Sequence, residues 1–354
     1  MKNLILVINT GNTSTKIGIF DLDKEIFTET IKHSDKELSR FSDINEQLEF
    51  REHLVLEFLK DKNIDINTLK AVAARGGLLK PLASGTYFVN EEMIKDLKAG
   101  KNGMHASHLS AQIGNSIAEK SSIHCYIVDP ISVDEFTPVA RLSGHKLFNR
   151  IMLSHALNMK AVSKRYAKEN NLNYNDLNLI IIHLGTGISV SAHQNGKMVD
   201  SINSSEEGTF SPDRAGGIPV LQAAKYIIEN KIDFKTFSNL IFGNGGLQSY
   251  LNTKDFMKIE NMYKSGDKKV IEVVDAMAYQ VAKDAGSMAT VLTGKIDKII
   301  ITGGMANSEL LVNLISVRIN FLATLLLYPG EDEMTALAEG VSRILTGEEE
   351  EMSY

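Results

Sequence analysis

The chain has 354 residues, 43% of them hydrophobic, enough for two domains with substantial cores. Lys and Arg number 38 against 44 Asp and Glu, and the net charge of −6 lacks the basic excess that draws a protein to nucleic acid. A single cysteine, Cys125 in the apolar stretch SSIHCYIVDP, excludes an intrachain disulfide or a cysteine-rich metal centre.

In chain order, the first predicted element is a hairpin. LILVINTGNTSTKIGIFD reads as an apolar strand, a polar Gly-containing turn and a second apolar strand, after which DLDK turns into a third. The opening LILVI is too short for a secretory leader, and no run reaches the roughly 18 apolar residues of a membrane span, so a soluble, cytoplasmic protein with no membrane partner is expected. AVAAR at 71–75 is a predicted strand running into Arg75-Gly-Gly. EEMIKDLKAG and HASHLSAQIGNSIAEK carry helical spacing, HCYIVD is a strand that Pro130 ends, and SHALNMKAVSKRYAKENN is a further helix. From Leu179 the stretch LIIIHLGTGISVSAHQNGKMVDS repeats the opening pattern of strand, Gly turn, strand and polar turn, with Asn195-Gly196 as a two-residue hairpin signal. IEVVDAMAYQVAKDAGSMATVL is then a long helix and DKIIITGG a strand ending on glycines. The acidic tail GEEEEMSY reads as a solvated end. Strand and helix alternating in both halves predict two α/β domains with a cleft between them, and the two hairpin units suggest a duplication.

A turn rich in Gly and small hydroxyl residues aims backbone N–H groups and hydroxyls at whatever lies above it, most often a phosphate chain. In the first turn Asn9, Thr13, Ser14 and Thr15 supply neutral donors and Lys16 a cation. In the second, Gly185, Thr186 and Gly187 let the backbone approach closely. An ordinary hairpin is the plainer reading of either turn alone. Gly303, Gly304 and Asn307, between a strand and a helix, suit a nucleoside or an α-phosphate, with a packing turn as the alternative. Arg75 and Arg214 each sit in a Gly-flanked loop and carry the bidentate fork that matches carboxylate or phosphate oxygens. Asp129 closes a strand, where a carboxylate beside phosphates orients Mg²⁺ or its waters. His155 opens a helix and His183 ends a strand. Near the C-terminus, Glu331, Asp332 and Glu333 precede a helix, whose dipole alone favours acids there.

Together INTGNTSTKIGIFD, AARGGLLKP, GTYFVNEEM, VDPISVDEF, SHALNMKAVSKRYAKE, HLGTGISVSAHQNGK, GTFSPDRAGGIPV, TGGMANS and YPGEDEMTALAEG resemble butyrate kinases of the acetokinase family, within the acetate and sugar kinase, Hsp70 and actin superfamily. The resemblance runs in register from residue 3 to about 347. It implies duplicated ribonuclease-H-like domains, actin-like ATPase in type: 1–170 completed by a C-terminal helix at about 331–354, and 171–330. It implies reversible, ATP-dependent phosphorylation of a short-chain carboxylate, butyrate foremost, giving an acyl phosphate and ADP with Mg²⁺, in a homodimer that closes on its substrates. Arg75 and Arg214 then belong near the transferred phosphoryl group, Asp129 is the catalytic aspartate, and His155 donates to the equatorial oxygens. His183 contacts the phosphates. Asn9, Asp332 and, second, Glu333 fall at the metal, and Leu78, Leu79, Pro81 and Phe210 line the acyl pocket. Two positions depart from the family: Thr10 where Pro is common and Thr186 where a third Gly is common.

The chemistry is consistent with such a site. A carboxylic acid is already ionised at neutral pH, so its attack on phosphorus needs no general base, and catalysis rests on positioning and charge neutralisation. Two alternatives are a kinase for a sugar or other alcohol on the same fold, which needs a base, and a non-catalytic nucleotide-gated interaction protein.

Overall fold

The structure, a computed structural model, describes residues 2–354. They divide into two compact units, one running to Asp134 and resumed at Asp332–Tyr354, the other spanning Glu135–Glu331.

In the first unit β1 (Leu4–Thr10), β2 (Ser14–Asp21), β3 (Lys24–Lys32), β4 (Leu69–Ala74), β5 (Thr86–Phe88) and β6 (His124–Val128) form a six-stranded sheet in the order β3-β2-β1-β4-β6-β5. The β1–β2, β2–β3 and β5–β6 pairs are antiparallel, whereas β1, β4 and β6 run parallel. Residues Ile5 to Ile8 are all 0% exposed, as expected of a central strand covered on both faces. On one face Leu6, Ile8, Ile17 and Ile19 pack with Val55, Phe58 and Leu59 of the helix Leu48–Asp61 and with Leu109, Ile113 and Ile117 of the helix His108–Lys120. The other face takes the C-terminal helix Glu333–Thr346, which crosses β1, β4 and β6.

The second unit opens with a small hairpin, β7 (Leu142–His145) and β8 (Phe148–Asn149). Its sheet contains β9 (Asn178–Leu184), β10 (Ile188–Gln194), β11 (Lys197–Asn203), β12 (Lys298–Gly303) and β13 (Leu325–Pro329), ordered β11-β10-β9-β12-β13. Here β9–β10 and β10–β11 are antiparallel and β9, β12 and β13 parallel. Order and direction therefore match β3-β2-β1-β4-β6 strand for strand, so the repeat seen in the sequence is a repeat of topology. Asn195 and Gly196 form the two-residue turn between β10 and β11, both with positive φ (51° and 74°), as a primed hairpin turn requires. The long helix Lys268–Val291 covers one face through Val274, Met277 and Val281.

The sequence reading divides the chain at 170, but residues 135–170 pack with the second unit. The helix Ala156–Glu169 lies on β9 and β12. Its Lys160, 0% exposed, donates to Glu135 Oε2 (2.6 Å) and to the Gly196 carbonyl (2.8 Å). Helical periodicity marks an amphipathic helix without naming the sheet it covers, which is why the boundary moves. Among the described residues no helix is long and apolar enough to cross a membrane.

Candidate functional site

Ligands of open α/β sheets bind beyond the carboxyl ends of parallel strands. In the first unit β1, β4 and β6 end side by side, bringing Asn9, Arg75 and Asp129 to neighbouring strand ends. Asn9 and Lys16 are cross-strand partners and share a face, while the next pair, Thr10 and Thr15, faces the other way. Asn9 Nδ2 donates to Glu333 Oε2 at 2.7 Å, and Arg75 Nη1 donates to the other oxygen, Glu333 Oε1. Glu333 is the first residue of its helix, so the helix dipole adds to the attraction on its charge. Asp332 holds the N-cap position without a side-chain cap bond and is exposed. The sequence reading ranks Asp332 first, yet Glu333 is the carboxylate that meets Asn9 and Arg75.

Among the described residues no three His, Cys, Asp or Glu side chains gather as a metal cage. Mg²⁺ keeps several waters and takes phosphate oxygens with one or two protein carboxylates, and the Glu333 carboxylate beside the Asn9 amide fits that donor set.

Asp129 is 3% exposed and adopts φ +36°, a conformation costing a non-glycine residue about 1–3 kcal/mol. Its Oδ1 accepts from Ser84 Oγ (2.6 Å) and from the Gly85 N–H (2.8 Å), which hold the carboxylate in place.

In the second unit the equivalent strand ends carry His183, Gly303 and, just past β13, Glu331. The His155 and His183 rings stack, with centroids 3.9 Å apart and planes 13° from parallel. Each has its own tether: His155 Nδ1 lies 3.0 Å from Ser189 Oγ, and His183 Nδ1 lies 2.8 Å from Asn158 Oδ1. The two ring nitrogens of His183 therefore face different groups, Nδ1 the Asn158 side chain and Nε2 Glu331 Oε1, 3.3 Å away.

Arg214 lies over the second Gly turn. A Cβ built on Gly187 would stand 2.7 Å from Arg214 Nη1, so only glycine admits the guanidinium there. Ser211 joins loop and turn, its Oγ accepting from the Arg214 N–H (3.2 Å) and donating to the Thr186 carbonyl (2.6 Å). Arg214 Nη1 donates to Ser205 Oγ at 3.2 Å, and among the described residues no acceptor meets Nε or Nη2. Burial lowers the Arg214 pKa and the neighbouring Asp213 opposes that shift. The result is a half-buried cation with donors to spare, suited to an anion.

Other expected residues divide. Thr13 is exposed at its turn and Ser14 half-buried on the face shared with Lys16. Thr186 is exposed, Gly185 and Gly187 buried, and Gly304 and Asn307 exposed at the two ends of the 3-10 turn that follows β12, where Asn307 Nδ2 donates to the Gly304 carbonyl (2.9 Å). Thr15 is a correction: it is 0% exposed, and its hydroxyl meets His33 Nε2 (2.9 Å) and Arg51 Nη1 (3.1 Å), away from any phosphate. Leu79 is another, because it lies in the first unit's hydrophobic core and is not free to line a pocket. Phe210 likewise packs in the second unit's core, near Tyr250. Leu78 is half-buried and Pro81 exposed. The sequence reading passes over Arg51, Ser211 and Asp284; Asp284 accepts from the Thr209 N–H (2.8 Å) and anchors the loop leading to Arg214.

A model of the acetokinase family matches residues 145–346. The chain is 49% identical to butyrate kinase 2 of Clostridium acetobutylicum, covering 100% of both chains. It is 46% identical to butyrate kinase 1 of the same organism, covering 99% of each. The acetate kinase of Porphyromonas gingivalis superposes with a TM-score of 0.77 at 17% identity, over 96% of this chain and 99% of that one, a likeness of fold.

Proposed function

Because the chain belongs to the acetokinase family, we propose that it transfers the γ-phosphoryl group of ATP to the carboxylate of a short-chain fatty acid, butyrate first, reversibly giving an acyl phosphate and ADP. The likeness to the clostridial butyrate kinases, end to end at 49% and 46% identity, carries the choice of reaction. The cationic donor set at the strand ends supports it.

A carboxylate oxygen attacks phosphorus, the bond from the γ-phosphorus to the bridging oxygen breaks, and its electron pair leaves with ADP. No proton moves, so no base is needed. The work left to the protein is to bring an anion to a polyanion and to neutralise charge on the equatorial oxygens. Arg214, with its uncommitted Nε and Nη2, and Arg75 take those oxygens and the carboxylate, and His155 donates to the transferred group. Asn9, Ser14 and Lys16, the backbone of Gly185, Thr186 and Gly187, and His183 are the groups proposed for the phosphates. Gly303, Gly304 and Asn307 receive the nucleoside end. Glu333, with Asp332 and Asn9 near it in sequence or space, would hold Mg²⁺, which when bound neutralises phosphate charge and orients the chain. Asp129, fixed by Ser84 and Gly85, would orient the waters of such a metal. Leu78 and Pro81 remain for the acyl chain, where one methylene is worth about 1–3 kcal/mol.

The use of ATP fits a cytoplasmic setting. A homodimer is the proposed assembly, and the exposed apolar side chains of the helices Val220–Asn230 and Phe234–Ile241, Leu221 and Phe234 at 86% each, are the surface offered for it. Release of ADP with a panel of carboxylates and a panel of sugars and simple alcohols tests the class of acceptor. Turnover with carboxylates alone is expected, and turnover with alcohols alone would give the fold to an alcohol kinase.

A further inference from the structure

Arg51 is 0% exposed on the helix Leu48–Asp61, and its surroundings are unusual for a buried cation. Among the described residues it meets no carboxylate. Nη1 donates to the carbonyls of Gly11 (2.9 Å) and Ser14 (2.9 Å) and to Thr15 Oγ1 (3.1 Å). Nη2 donates to the Asn12 carbonyl (3.2 Å) and, with Nε, to Gln47 Oε1 (2.8 and 3.1 Å). A buried charge is costly unless something specific satisfies it, and here the whole fork is given to the Gln47 side chain and to one turn with the first two residues of the strand after it. That turn joins β1 to β2.

The direction of those carbonyls fixes the direction of their amides. In a trans peptide the C=O and the following N–H point opposite ways, and the described chain has no cis bond. Holding the Gly11 and Asn12 carbonyls from behind therefore turns the N–H groups of Asn12 and Thr13 to the far side. Both residues are exposed, and among the described residues neither N–H has an acceptor in the protein. A cation on the carbonyl side also polarises the peptide groups, making the outward N–H groups stronger donors. Thr15, whose hydroxyl bridges Arg51 and His33, belongs to this support and not to the ligand face.

We propose that Arg51 is a positioning residue for phosphate binding: from inside the core it aims the Asn12 and Thr13 N–H groups at the ATP phosphates and backs them with a positive charge. This rests on the reading that the first Gly turn addresses phosphate. A lysine at the same place keeps the charge but not the fork, so its single nitrogen cannot reach three carbonyls, Thr15 and Gln47 at once.

The test uses the full-length enzyme and its variants Arg51→Lys and Arg51→Ala, followed by steady-state kinetics, calorimetric ATP binding and thermal melting. Arg51→Lys should raise the KM and Kd for ATP about tenfold while the KM for butyrate moves less than twofold. Added guanidinium at millimolar, non-denaturing concentration should recover part of the ATP affinity of Arg51→Ala, which a loss of packing alone would not allow. ATP affinity within twofold of the parent in Arg51→Lys overturns the inference, as does a joint rise of both KM values with no guanidinium effect. If Arg51→Ala does not fold, Arg51→Lys decides by the KM split. Lys16→Ala separates the two levels: weakened ATP binding there with unchanged Arg51→Lys refutes only the role of Arg51, whereas no effect in either variant refutes the phosphate turn itself.

Discussion

Asp284 offers a stability test whose sign follows from its surroundings. Burial on the helix Lys268–Val291 pushes its pKa up to about 6, with Glu207 adding to the rise, while the Thr209 N–H and Lys283 pull it down. An ordinary aspartate titrates near 3.9, so between roughly pH 4 and pH 6 the folded protein holds a proton that the unfolded chain has released. Stability from this residue is therefore greatest below pH 4 and declines as pH rises to about 6. About two decades of proton affinity, at about 1.4 kcal/mol each, set the loss at roughly 2–3 kcal/mol. Asp284→Asn keeps an oxygen for the Thr209 N–H and removes the titration. Urea unfolding followed by circular dichroism should show the variant more stable than the parent by on the order of 2 kcal/mol at pH 7.5, with the gain nearly gone at pH 4. A gain of equal size at both pH values, or a loss at pH 7.5, would refute the reasoning. Because the residue anchors the Gly208–Arg214 loop, kcat/KM is expected to change little in the Asn variant and to drop in Asp284→Ala.

Other perturbations probe the two sets of strand ends. Gly187→Ala puts a methyl 2.7 Å from Arg214 Nη1 and should cut kcat/KM by about 10² or more while the melting temperature holds; unchanged kinetics would detach Arg214 from the reaction. Glu333→Gln should raise the Mg²⁺ concentration needed for half-maximal rate at least tenfold, because the carboxylate proposed to hold the metal loses its charge while keeping its place beside Asn9 and Arg75, and the same change in Glu331 should not. Thr10→Pro should destabilise this protein by about 1–3 kcal/mol in chemical denaturation. Thr10 here donates from its N–H to Ser110 Oγ (2.8 Å) and from its hydroxyl to the Ala106 carbonyl (2.6 Å), and proline leaves both acceptors unmet.

Much of the frame was legible before the structure, and the reasons are local. Alternating β-branched residues and Asn195-Gly196 mark the hairpins because period and turn chemistry are short-range properties. The face of Thr15 was legible too but was missed: Thr15, Ile17 and Ile19 share one side of β2, and the two isoleucines belong to the core. Glu333 against Asp332 is different, since both suit a helix start and only the reach of Asn9 and Arg75 from other strands separates them. Arg51 lay further from view. Nothing in a helix that reads LEFREHLVLEFLKD says that its arginine points inward to a turn some forty positions earlier in the chain. Leu79 shows the converse limit, because an apolar residue beside a site motif has the same composition whether it faces a ligand or the core.

The most direct measurement is hydroxylamine trapping of acyl phosphate with ATP, Mg²⁺ and straight-chain acids of two to six carbons. Hydroxamate that depends on ATP and peaks at or near the four-carbon acid is expected, with Arg214→Ala reducing it by about 10² or more. No hydroxamate from any acid of three to six carbons, from protein that still binds ATP, would contradict a carboxylate kinase.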